Sequence, residues 1–246
     1  ASDPDGDKLT YAQSTEPSNG QLSINADGSF SYTSQEDFLG QDSFEYLVKD
    51  TEDQQTKANV QIEVYTPAQA GDQNVSTDED STLHANFEIY NPSDLDYSTE
   101  VITQAEHGEV ELSSGNFQYK PEKNYNGADS FEYQLTDSKD NTSKASVQIE
   151  VKEVNDPPVA SDIDFTVDPT TSKVGTIVVT DVDSNNFTFS LDSQPQYGTF
   201  NINEDGSYKY VPDTNQSVTD NFTVKIEDDA GGSTTITVSA KIENVF

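Results

Sequence analysis

Stretches in which apolar and polar residues alternate recur along the whole chain. The clearest are Ala58 to Val64, Ala145 to Val151 and Thr235 to Ile242. A period of two puts every second side chain on one face, the mark of a half-buried β-strand. No stretch carries a convincing 3.6-residue apolar period, so the chain reads as all-β. Shorter alternating runs flank turn residues, as in Asn19-Gly20-Gln21-Leu22-Ser23-Ile24 followed by Asp27-Gly28-Ser29-Phe30-Ser31-Tyr32. Alternation, turn and alternation again predict a hairpin with one buried face, and Asp-Gly or Ser-Gly supplies the positive φ of the turn.

The hairpin returns as His107-Gly108-Glu109-Val110-Glu111-Leu112 with Gly115-Asn116-Phe117-Gln118-Tyr119, and again from Tyr197-Gly198 to Lys209-Tyr210. Its glycines at 20, 108 and 198 are 88 and 90 residues apart. A second landmark keeps the same register: Gly40-Gln41-Asp42-Ser43-Phe44-Glu45-Tyr46, Gly127-Ala128-Asp129-Ser130-Phe131-Glu132-Tyr133, and a looser copy at Asp220-Asn221-Phe222. Each is followed by an acid, Asp50, Asp137 or Asp228, and then by a closing strand. About seven strands in each repeat suits an immunoglobulin-like β-sandwich, whereas a β-solenoid would repeat at a far shorter period. The expected architecture is a linear array of such sandwiches over residues 1–68, 69–156 and 157–246. The first copy starts where its sisters have already completed about two strands. It is therefore expected to be cut from a longer chain, with an edge left open or filled by another segment.

Composition narrows what such an array does. Twelve basic residues against 46 acidic ones give a net charge of −34, which excludes nucleic acid as a partner and disfavours an anionic membrane. Self-repulsion of that size destabilises a compact state unless the acids are solvated or bound to cations. Most of them are expected simply to be solvated. Cys, Met and Trp are absent, which removes disulfides, thiolate metal sites and a cysteine nucleophile. No run has the length of a membrane-spanning helix or the character of a signal peptide, so direct membrane insertion is not expected.

Some acids nevertheless hold the repeat register. Asp3 and Asp5 correspond to Asp94 and Asp96 and to Asp181 and Asp183, at spacings of 91 and 87. Two carboxylates one residue apart on an extended loop can turn toward one ion, and calcium accepts six to eight oxygen ligands in loose geometry. The same pattern is also that of a turn whose Asp side chains accept local backbone N–H groups, and both readings stand at this point. An EF-hand is excluded, because in Asp3-Pro4-Asp5-Gly6-Asp7 the glycine is fourth rather than sixth and the twelfth position is Ser14. Between the second and third repeats, Glu153-Val154-Asn155-Asp156-Pro157-Pro158 sets side-chain oxygens beside two prolines that hold the joint extended and stiff.

The order Asp-x-Asp, Asp-x-x-Phe-x-Tyr, an acid after the strand, and a closing Glu-Val-Asn-Asp-Pro-Pro resembles the cadherin-like repeats of large bacterial surface adhesins of the repeats-in-toxin type. The resemblance spans essentially the whole chain on short, degenerate motifs. It implies calcium at the seams between repeats. At the second seam the implied ligands are Glu79 and Asp129 from one repeat, Asn155 and Asp156 from the linker, and Asp181, Asp183 and Asp228 from the next. At the first seam they are Asp42, Asp72, Asp94, Asp96 and Asp137, with Asp50 the matching acid of the first copy. The first linker, Thr66 to Asp72, departs from the pattern, since Asp72 is its only acid. The resemblance further implies an extracellular, cell-surface location, neighbouring repeats as partners, and a role as a calcium-stiffened extender in cell or biofilm adhesion.

Catalysis is not expected. His84 and His107 are the only imidazoles, and His107 stands where the sister repeats have Asn19 and Tyr197. The alternative role is calcium-dependent binding of cell-surface glycans or peptides, with Tyr90, Tyr97 and Tyr125 as stacking faces; the absence of Trp counts against it.

Overall fold

The computed structural model describes residues 2, 4, 6–113 and 115–243, and all regular structure among them is β-strand. The chain divides into two compact units, Ala1–Val151 and Lys152–Phe246.

In the second unit a four-stranded sheet runs in the order Ile163–Val167, Ser233–Ile242, Val218–Asp228, Phe187–Leu191. Its first strand is parallel to its neighbour, Ile163 facing Val238 and Val167 facing Ile242, and the other pairs are antiparallel. A three-stranded sheet runs Lys173–Thr176, Ser207–Pro212, Gly198–Ile202. Alternate residues from both sheets, among them Phe200, Tyr210, Phe222, Val224, Ile226 and Val238, form one core. Two sheets closed over a shared apolar layer make a β-sandwich.

The first unit holds two sets of strands. Between residues 69 and 152 the pattern of the second unit repeats. A four-stranded sheet runs Tyr97–Thr103, Gly127–Asp137, Thr142–Lys152, Gln73–Asp78, and a three-stranded sheet runs Gly108–Ser113, Asn116–Pro121, Leu83–Asn86. Phe87 sits between them, stacked on Tyr133 at 4.0 Å and against Phe117 at 5.1 Å. Residues 10–64 form a smaller set: a sheet in the order Thr10–Gln13, Gly40–Lys49, Gln55–Val64, and the hairpin Gly20–Ile24 with Phe30–Ser34. Nothing in residues 10–64 matches Gln73–Asp78 or Leu83–Asn86.

One latch recurs in all three sets and explains the repeated letters. Gly20, Gly108 and Gly198 lie under the rings of Tyr32, Tyr119 and Tyr210, so closely that a Cβ would collide with the ring. Each tyrosine hydroxyl reaches past its glycine and donates to a carboxylate: Asp42 at 2.9 Å, Asp129 at 2.8 Å and Asp220 at 2.8 Å. Backbone N–H groups from the approach to the hairpin fill further acceptor positions, from Ser18 and Asn19, from Glu106 and His107, and from Gln196 and Tyr197. These carboxylates are buried but well satisfied, which is the condition for tolerating a charge in a core.

Candidate functional site

The acids that follow the long strands share one local geometry. One oxygen of each caps its turn by accepting the N–H groups two and four residues on: Glu52 and Gln54 for Asp50, Lys139 and Asn141 for Asp137, Ala230 and Gly232 for Asp228, at 2.8–3.0 Å. In the two later copies the other oxygen turns to the preceding linker. Asp137 Oδ2 accepts Ala68 N–H at 3.3 Å, and Asp228 Oδ2 accepts Asn155 Nδ2–H at 2.9 Å.

Around Asp228 the linker is held more fully. Asp156 N–H donates to Asp183 Oδ2 at 2.7 Å, and Asp183 N–H and Ser184 N–H donate to Asp181 Oδ1 at 2.8 Å. Both readings of Asp-x-Asp thus have a claim here, because Asp181 makes the local turn with one oxygen. Its other oxygen, Oδ2, is buried without a hydrogen-bond partner. Gly232 closes the floor: a Cβ there would collide with Asp228 Oδ2 and Asn155 Nδ2 and would press on the Asp156 carbonyl. The hydrogen bond from Asn155, together with N–H groups of the turn, holds the Asp228 carboxyl below the usual carboxylate range against the opposing effect of burial. Asp229, which sequence reasoning did not single out, secures the loop from behind by accepting Ser184 Oγ–H at 2.7 Å and Asn186 Nδ2–H at 3.1 Å. Its only signal in the sequence is its position beside Asp228.

The remaining predicted positions are not gathered in this way. Asp94 and Asp96 are exposed, and the carbonyl of Asp96 accepts Ser138 N–H at 2.8 Å beside the Asp137 turn. Asp72 lies elsewhere: its Oδ1 accepts Ser146 N–H at 2.7 Å, just as Asp162 accepts Thr237 N–H. Both pin the first strand to its sheet. Asp42 and Asp129 each accept four hydrogen bonds inside their own latch, which uses the lone-pair positions of a carboxylate. Glu79 is buried. Asp3 and Asp5 lie outside the described residues. Among the described residues no three His, Cys, Asp or Glu side chains stand close enough together to hold a metal ion by themselves, so backbone and amide oxygens would have to complete any ligand set. Tyr125 is stacked on His107 at 4.2 Å and donates to the Ala128 carbonyl; Tyr90 and Tyr97 are exposed. No helix among the described residues is long and apolar enough to cross a membrane.

Comparison with known proteins adds the family. A model described as bacterial Ig domain matches residues 1–63 and 66–150, and one described as bacterial cadherin-like domain matches residues 155–244. No curated protein matches the chain. Among solved structures it is similar to a human desmocollin-1 ectodomain, at 12% identity and a TM-score of 0.49, over 99% of this chain and 56% of that one. It is similar to Drosophila N-cadherin EC1-4 at 14% identity and a TM-score of 0.36, over 98% and 68%. An endo-fucoidan hydrolase from glycoside hydrolase family 107 is similar at 17% identity and a TM-score of 0.34, over 98% of this chain and 39% of that one. The chain thus spans about half of the desmocollin ectodomain and about two fifths of the hydrolase, and no activity passes from those proteins to this one.

Proposed function

This chain belongs to the bacterial Ig-domain family over residues 1–63 and 66–150 and matches the bacterial cadherin-like domain over 155–244, and on that premise we propose that it is a calcium-stiffened spacer of a cell-surface adhesin. Its three repeats, residues 1–68, 69–156 and 157–246, extend the parent protein outward.

The observation that carries the reading is the orphaned, buried Asp181 Oδ2 beside a linker already drawn onto Asp183 and Asp228. A buried carboxylate oxygen without a donor is costly and suits a cation. Asp181 and Asp183 would supply carboxylates, Asn155 its amide oxygen once the side chain turns over, and Asp156 its carbonyl, with Asp228 joining only when that turn frees its Oδ2, since the three carboxylates do not stand together as they are; all are oxygen donors of the kind calcium takes. The ion supplies positive charge that offsets the mutual repulsion of these acids. The chain's own residues do the rest: Asp228 caps its turn, Gly232 leaves room for the linker, and Asp229 holds the Asp181 loop in place. With the linker fixed, the joint loses angular freedom. Asp42 and Asp129 do not join this set because latch contacts occupy their oxygens, and Asp72 does not because its Oδ1 is engaged with Ser146 in pinning its strand.

Affinity on the order of 10⁻⁴ to 10⁻³ M would match extracellular calcium. At a calcium concentration ten times the dissociation constant, binding stabilises the folded unit by about 1.4 kcal/mol. The test is small-angle scattering and thermal melting of the full chain with calcium and with chelator. Calcium should lengthen the particle and raise its melting temperature, and Asp181→Asn with Asp183→Ala should remove both responses. A radius of gyration and melting temperature indifferent to chelator would overturn the proposal.

A further inference from the structure

The linker between residues 10–64 and 69–152 is built on the same frame as the linker ahead of Asp228, with different chemistry. Gln69 pairs with Tyr90 as Val159 pairs with Thr180, so the two linkers, and the loops after Tyr90 and Thr180, are in register. Asn91 therefore stands where the later copy has Asp181, and Ser93 where it has Asp183. The contacts agree. Thr66 N–H donates to Ser93 Oγ at 2.8 Å, as Asp156 N–H donates to Asp183 Oδ2 at 2.7 Å. Asn91 Oδ1 accepts Leu95 N–H at 3.0 Å, the loop-closing role that Asp181 Oδ1 has for Asp183 and Ser184. Asp94 and Asp96, which the repeat spacing sets against Asp181 and Asp183, lie beyond these places and are exposed.

Three acids of the later frame, Asp156, Asp181 and Asp183, are thus replaced by the neutral Thr66, Asn91 and Ser93. The turn acid remains, but Asp137 is fully engaged. Its Oδ1 accepts the N–H groups of Lys139 and Asn141, and its Oδ2 accepts Asn141 Nδ2–H at 3.0 Å and Ala68 N–H at 3.3 Å. Too few free carboxylates are left here to offset the dehydration of a divalent ion.

A cation is nevertheless present, and it is part of the chain. Lys139 occupies the turn position held later by Ala230, since both give their backbone N–H to the turn acid. Its ammonium donates to Glu63 Oε2 near the end of the strand Gln55–Val64 and lies 5.7 Å from the centre of the Tyr65 ring, within reach of a cation–π contact. An isolated surface ion pair contributes little, because two long side chains must be ordered to form it. Here Thr66 and Ala68 already tie the linker down, so the pair closes over a segment that is held in place.

We infer that this joint takes no metal ion and is clamped by Lys139, which bridges Glu63 and Tyr65 to the Asp137 turn. The joint responds to ionic strength and not to calcium. The inference is independent of the calcium reading at Asp181, because its readout lies wholly within residues 1–151.

The chain has no cysteine, so nitroxide labels can be carried by Thr33→Cys and Gln118→Cys, two exposed positions on either side of the linker. Pulsed dipolar resonance on the full chain then gives the spread of distances across the joint. A narrow distribution is expected, with the same width in calcium and in chelator. Lys139→Met should widen it at least two-fold, and so should salt at about 1 M, where charges are screened beyond about 3 Å. Glu63→Gln should match Lys139→Met, and the two together should widen it no further, as for two halves of one contact. Lys139→Met keeps the N–H that caps the turn, exchange in Gly127–Asp137 checks that the fold is retained, and the salt arm needs no substitution at the clamp. A distribution that narrows on adding calcium would show a metal-dependent joint. A width indifferent to both Lys139→Met and salt would show an idle surface pair, and either result overturns the inference.

Discussion

Residues 40–46 and 127–133 carry nearly the same heptapeptide, Gly-Gln-Asp-Ser-Phe-Glu-Tyr against Gly-Ala-Asp-Ser-Phe-Glu-Tyr, yet they sit in different surroundings. Both acids close a latch and both phenylalanines are buried, at 1% exposure. The tyrosines part company. Tyr133 is fully buried, stacks on Phe87, and donates to the carbonyls of Gly71 and Glu88 at 3.0 and 3.2 Å, whereas Tyr46 is half-buried and lines an open hollow. The closing strands diverge too: Val147 and Ile149 are buried, while Val60 and Ile62 are not. Local sequence sets the latch and the pleat, but the covering strands decide how much apolar surface leaves water. Since burial of such surface is the main favourable contribution to folding, the same letters stabilise one set more than the other.

The largest consequence should appear at the matching ring pairs, Phe30 with Phe44 and Phe117 with Phe131. Phe117→Ala empties a closed core and is expected to cost about 3–5 kcal/mol. Phe30→Ala removes a ring that is already half in water and should cost about 1 kcal/mol. Hydrogen exchange of each hairpin reads the two separately in one chain. Equal costs would mean that residues 10–64 bury their aromatics as completely as residues 69–152, which would break the comparison.

A smaller effect separates the two tyrosine hydroxyls. Tyr133→Phe takes a donor from two carbonyls in a buried setting and should lose about 1 kcal/mol. Tyr46→Phe, with no matching strand to receive its hydroxyl, should change stability by less than ~0.5 kcal/mol. Denaturant midpoints of the two variants, read from exchange in Gly127–Asp137 and Gly40–Lys49, measure the difference.

That difference was only partly legible in the residues. Alternation and the repeat spacing were enough to read all-β sandwiches and to place the hairpins, because a period of two and a turn glycine are local properties. The latch was visible as recurring Gly, Tyr and Asp, but its meaning was not, since it depends on a tyrosine reaching over a glycine ten or more residues away from the acid. Asp42 and Asp129 therefore read as ion ligands by resemblance, while their oxygens are occupied at home. Asp72 was open to a better reading: Asp162 stands 90 residues later and does the same work on Thr237 that Asp72 does on Ser146. The linker acids were legible through Asn155-Asp156-Pro157 and Asp181-Val182-Asp183, whereas the roles of Gly232 and Asp229 needed the folded chain.

The smallest effect expected is in acid. Burial opposes ionisation of Asp129, but the Tyr119 hydroxyl and the N–H groups of Glu106, Ser130 and His107 outweigh it and hold its carboxyl below the usual range. Burial likewise opposes ionisation of Asp42, and the N–H groups of Asn19, Ser18 and Ser43 with the Tyr32 hydroxyl hold it low. A carboxyl that is more acidic folded than unfolded contributes stability that is complete above the unfolded value of about 3.9 and is lost as pH falls through the lower folded value. Both latches should therefore hold at neutral pH and weaken below about pH 4. The set with less apolar burial has less to fall back on once its carboxyl is protonated. On titration from pH 6 to pH 3, exchange in Gly40–Lys49 should accelerate at a higher pH than exchange in Gly127–Asp137, and Asp129→Asn should bring the second strand toward the behaviour of the first. Coincident transitions would show that the latch, rather than the covering strands, governs the stability of both sets.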